Sequence, residues 1–100
     1  METWLRCTLN LGQFSSEYAV VLKSFHGREY SLFAQRNDLE YDEPPTEDQP
    51  VGGWMRVAVV EQDPGRGLFL VRLPQSTLEN GQFMTVSAGQ LRRIPKMQEA

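Results

Sequence analysis

Trp54-Met55-Arg56-Val57-Ala58-Val59-Val60, then Asp63-Pro64-Gly65-Arg66-Gly67, then Leu68-Phe69-Leu70-Val71-Arg72-Leu73 is the run that decides the fold. Met55, Val57 and Val59 alternate with their neighbours, which puts them on one face of a strand. The central pentapeptide is a turn: proline presets φ, and glycine accepts backbone angles closed to other residues. An apolar strand then returns. Two strands joined by a short turn make a hairpin, and the rest of the chain reads in the same way.

Upstream, Leu5, Cys7, Leu9 and Leu11 alternate with Arg6, Thr8, Asn10 and Gly12. Tyr18–Lys23 and Tyr30–Ala34 are rich in β-branched and aromatic residues, with Gly27 in the turn between them, so a second hairpin is expected. Leu39 and Tyr41 alternate with Glu40 and Asp42 after an Asn37-Asp38 turn. Downstream, Asn80-Gly81 is a turn dipeptide, Phe83–Val86 a strand, and Ser87–Gln90 one tight turn leading into Leu91-Arg92-Arg93-Ile94. No window offers three turns of apolar helical spacing. The chain is expected to be all-β.

The 100 residues carry 13 acidic and 10 basic side chains, a net charge of −3, with 40% hydrophobic and 23% charged residues. This is the composition of a globular domain, and the length supports a single one over 1–100. No apolar run reaches the roughly 18–20 residues that cross a bilayer, and Met1–Arg6 carries no secretory pattern. A cytoplasmic location is therefore expected, with no membrane partner. One cysteine and one histidine exclude an internal disulfide and a Cys/His zinc site.

Charge is unevenly spread. Asp38, Glu40, Asp42, Glu43, Glu47 and Asp48 fall in eleven residues with no base, leaving seven acids against ten bases elsewhere. Pro44, Pro45 and Pro50 interrupt the stretch and Gly52-Gly53 close it, which predicts a solvated loop over about 43–53. With Val51 as its one large aliphatic residue, the segment 44–52 is expected to bury little and to tolerate shortening.

Trp54–Ile94 resembles the later strands of small SH3-like or Tudor-like barrels. An aromatic opens a W-x-R-V-x-V strand; a Gly turn, a second strand, a longer loop, a short strand and one tight turn lead to L-x-x-I. The resemblance covers about forty residues. It implies a small SH3-like barrel of five to seven short antiparallel strands, with an N-terminal hairpin extension and a long acidic loop. The proline-binding signature of SH3 domains is absent: only Tyr41-Asp42 approaches the A-L-Y-D-Y opening. A Tudor-type cage would draw on Trp54, Tyr41 and Phe69.

Catalytic chemistry is sparse. His26 before Gly27 reads as a turn residue, and Cys7 on an apolar strand face as a small hydrophobe. The acidic run lacks calcium-loop spacing, no phosphate-cradling motif occurs, and no cofactor or metal is expected. The chain is expected to be a non-enzymatic protein-interaction module. Trp54, Tyr41, Asp42, Glu43, Glu47 and Asp48 would form its surface, the acids steering a partner with a basic patch. The alternative is RNA or single-stranded nucleic-acid binding through Arg56, Arg72, Arg92 and Arg93, near Lys96, which an isoelectric point near 5.1 opposes. Pairing of edge strands with a second copy is the third option. Trp4 and Trp54 each open a strand, where rings are often only partly covered; filling the open end of a small barrel is the expected role, ahead of partner contact.

Overall fold

The computed structural model describes residues 2–93 except 13 and 15; Ile94 and Lys96 lie outside that range. Among the described residues there are eight strands, not the five to seven expected, because the segments around 39–40 and 91–92 pair as short strands of their own: β1 (Thr3–Leu11), β2 (Glu17–Lys23), β3 (Glu29–Gln35), β4 (Leu39–Glu40), β5 (Val51–Asp63), β6 (Leu68–Arg72), β7 (Phe83–Ser87) and β8 (Leu91–Arg92). Short 3-10 turns, Arg36–Asp38 and Ala88–Gln90, precede β4 and β8. All pairings are antiparallel, in the order β3-β2-β1-β5-β6-β7, with β4 beside β5 and β8 beside β1. Among the described residues no helix is long and apolar enough to cross a membrane.

Two strands curl this sheet. β5 runs for thirteen residues, pairing with β1 through Val51–Val57 and with β6 from Ala58 onward. A register shift between Val59 and Glu61 bends it, as an extra residue in one strand does. β1 divides one of its edges: Trp4-Leu5 pair with Arg92-Leu91, while Thr8–Leu11 pair with Val21–Tyr18. The last strand thus returns to the first, and Thr3 Oγ1 donates to the Arg93 carbonyl at 3.1 Å.

The concave face holds one apolar cluster. Leu5, Leu9, Val20, Met55, Val71, Leu73 and Val86 are fully enclosed, and Leu22, Leu32 and Ala34 bring the β2–β3 hairpin into the same cluster. The hairpin is held to the far side of the sheet as well. Phe25 N–H donates to the Thr85 carbonyl at 2.8 Å and Leu78 N–H to the Ser31 carbonyl at 2.9 Å. These bonds occupy part of the outer edges of β7 and β3, which limits edge-to-edge pairing.

The acidic loop is shorter than its composition suggests. Val51, Gly52 and Gly53 belong to β5, opposite Leu9, Thr8 and Cys7. Pro45 is buried, and Thr46 and Gln49 exchange backbone hydrogen bonds of 3.0 and 3.3 Å around Glu47-Asp48. Shortening across 44–52 would therefore cut strand and packed proline. Shortening confined to 46–49 is expected to change stability by about 0.6 kcal/mol or less, because closure entropy varies slowly with loop length. Thermal melting of such a variant checks this; a loss of several kcal/mol would make the turn a structural element.

Candidate functional site

On β1 and β5 the residues between core positions face outward, and they form two cross-strand rows. One row runs Arg6, Trp54, Glu40 over β1, β5 and β4; the other runs Arg92, Trp4, Arg56 over β8, β1 and β5. Trp54 is half-buried, with the Arg92 guanidinium 4.7 Å and that of Arg6 5.4 Å from its ring centre. Cations over an indole face are attracted by the ring quadrupole. Arg92 also donates to Glu40 at 2.7 Å, so a guanidinium lies against both an indole and a carboxylate.

Of the six residues expected to form the surface, Trp54, Tyr41 and Asp42 line one groove of about 600 Å³ with Glu40, Arg36 and Arg92. Tyr41 is fixed by its hydroxyl, 3.0 Å from that of Tyr18, with the rings edge to face. That bond, helped by burial, raises the Tyr18 pKa above its ordinary value. Glu43, Glu47 and Asp48 are exposed on the loop and do not line the groove. Phe69 is in the core, so it joins neither Trp54 nor Tyr41 in an aromatic cage. Glu40 and Arg6 were not among the site residues expected from the sequence. Their signal was present as polar residues alternating with Leu39 or with Leu5 and Cys7, but the strand facing them lies far along the chain.

Trp4 differs from expectation more sharply. It is 4% exposed, yet it lies outside the core cluster, on the outward face between Arg56 and Arg92. Among the described residues neither its indole N–H nor Arg92 Nε–H has a hydrogen-bond partner.

The four arginines of the nucleic-acid reading are unevenly available. Arg56 donates to Glu2 at 2.7 Å and Asp38 at 2.6 Å, and these bonds raise its pKa. Arg92 is paired with Glu40, while Arg72 and Arg93 are exposed. Arg56 and Arg72 share a concavity of about 400 Å³ that also contains Glu2. Paired guanidiniums offer less charge to a phosphate backbone.

His26 is exposed in the β2–β3 turn, edge to face with Phe25, and Cys7 is buried in β1. Burial pushes the Cys7 thiol up to about 12, so it stays protonated at neutral pH and is a poor nucleophile. Among the described residues no group of three or more His, Cys, Asp or Glu side chains is placed to hold a metal ion. Comparison with known protein families, with curated proteins and with solved structures finds no match for this chain.

Proposed function

We propose that this chain is a non-enzymatic protein-interaction module whose groove beside Trp54 receives a basic segment of a protein partner. One observation carries the reading: the groove already holds a guanidinium, that of Arg92, between the Trp54 ring and the Glu40 carboxylate. A partner arginine would meet the same indole and carboxylate, with Asp42 beside them. Glu43, Glu47 and Asp48 on the neighbouring loop would speed encounter through long-range attraction, an effect that salt weakens. The return of β8 to β1 is consistent with an SH3-like barrel in which β2, β3 and β4 are inserted after the first strand.

A capped peptide carrying two arginines, titrated at low and physiological salt, tests the reading. Trp54→Ala is expected to weaken binding about fivefold, the upper part of the exposed cation–π range. Arg92→Ala, which removes the internal competitor, should strengthen it about threefold. Affinity indifferent to both substitutions and to salt would overturn the proposal. So would retention of mixed RNA at ~50 mM salt with a steep salt slope, which belongs to the nucleic-acid alternative.

A further inference from the structure

Trp54 also borders a second concavity, on the side away from Tyr41. It encloses about 900 Å³, within the range of small-ligand sites, and its walls include Arg6, Lys23, Thr8, Val21, Glu29 and Trp54. Its origin lies in the divided edge of β1. The β1–β2 register ends at Thr8 opposite Val21; carried on, it would set Arg6 directly opposite Lys23. There β1 instead leaves β2 for β8, and the Lys23 carbonyl accepts from the Gln90 side-chain amide at 2.7 Å. Two cations are left lining a gap between strands.

Like charges facing each other across strands are unfavourable unless something neutralises them. Every ion pair among the described residues involves Arg56, Arg66 or Arg92, so neither Arg6 nor Lys23 is in one: Arg6 lies 5.4 Å from the Trp54 ring centre, and Lys23 has Glu29 as its cross-strand neighbour without an ion pair. The floor beside them is low: a Cβ added to Gly52 would meet nothing within 4 Å. Thr8 and Val21 continue the floor across β1 and β2.

We propose that this trough binds a single carboxylate carried on an apolar body, the anion between Arg6 and Lys23 and the body against Val21 and Trp54. The charge count selects a monoanion. Arg6 and Lys23 against Glu29 leave one positive charge, which one carboxylate balances. Beyond Trp54 the groove lining balances Arg36 and Arg92 against Glu40 and Asp42, so it adds no further positive charge for the continuation of a polyanion. The carboxylate can come from a free acid or from an acidic side chain of a partner protein. The trough shares Trp54 with the arginine-accepting groove but not its charges, because Arg6 and Lys23 do not line that groove.

The test is a ¹H–¹⁵N correlation titration of the full chain with N-acetylphenylalanine. Amides of Arg6, Thr8, Val21, Lys23 and Gly52 and the Trp54 indole N–H are expected to shift together and saturate, with a Kd of about 1 mM. N-acetylphenylalaninamide, which lacks the charge, should bind at least about fivefold more weakly. Arg6→Gln and Lys23→Gln, both at exposed positions, should each weaken binding about three- to tenfold with melting unchanged, as loss of one charge-assisted contact does. Gly52→Leu should abolish it by filling the trough. A capped peptide with one glutamate between apolar residues separates the sources: tighter binding than the free acid assigns the carboxylate to a protein partner, weaker binding to a small molecule. Equal affinity for acid and amide, tighter binding of uridine monophosphate, or no shifts at ~20 mM would each overturn the assignment. Arginine-peptide binding that fails while this titration succeeds would reject the proposed function alone.

Discussion

Gly53→Ala is expected to destabilise the fold by about 2–3 kcal/mol, the cost of forcing a methyl group into closed packing. For a domain of this length that lowers the melting temperature by roughly 8–24 °C. An added Cβ would lie 2.8 Å from Leu9 Cδ1 and 2.9 Å from the Glu40 carbonyl oxygen. Leu9 is fully enclosed and the carbonyl is backbone, so neither has room to withdraw. The adjacent Gly52→Ala is the control. Its Cβ enters open space, and an alanine in a strand interior is favoured over glycine by about 0.5–1 kcal/mol, so that variant should hold or gain stability. Urea unfolding of the two variants side by side measures the contrast. Equal effects at both positions would mean that strand entropy, not the approach of Leu9 and Glu40, sets the cost.

Leu22→Ala has the largest expected effect, about 3 kcal/mol within the 2–5 kcal/mol range for emptying an enclosed leucine site. Leu22 is 1% exposed in β2, and with Val20, Leu32 and Ala34 it belongs to the cluster that includes Met55 and Val86. A hairpin that merely extended from the sheet would lose its own structure and leave the rest untouched. Sharing one core, it should pull the whole transition down by roughly 12–24 °C as a single cooperative step. Calorimetry distinguishes the two. A second, unshifted transition would show that β2 and β3 fold as a separate unit.

Much of this architecture was legible because strand alternation and turn chemistry are local. Leu5, Cys7 and Leu9 fall inward and Arg6 and Thr8 outward as their spacing requires, and Gly27, Gly67 and Gly81 occupy turns with positive φ. What escaped was set by partners distant in sequence. A Gly-Gly pair after three prolines has the composition of a loop; only the approach of Leu9 and of the Glu40 backbone shows that Gly53 is strand. Trp54 and the nearby acids were recognisable as a surface. Their companions were not, because Arg6 and Arg92 reach the ring through register between β1, β5 and β8. Trp4 shows the same limit: alternation places it opposite the core, and that it stands between Arg56 and Arg92 follows only from register with β5 and β8.

The meeting of β1 with β8 also fixes an order of events in time. Thr3 and Arg93, joined by a hydrogen bond, are ninety residues apart in sequence. At a synthesis rate of about 5–20 residues per second, the strand that completes the edge of β1 is made roughly 5–18 s after β1 itself. The β2–β3 hairpin, by contrast, has both its strands made close together, although the core it shares is completed only by later strands. Throughout that interval the Trp4-Leu5 edge of the first strand lacks its partner, and an interrupted chain presents that edge to whatever strand comes near. The nascent protein, more than the finished one, is the form exposed to misassembly.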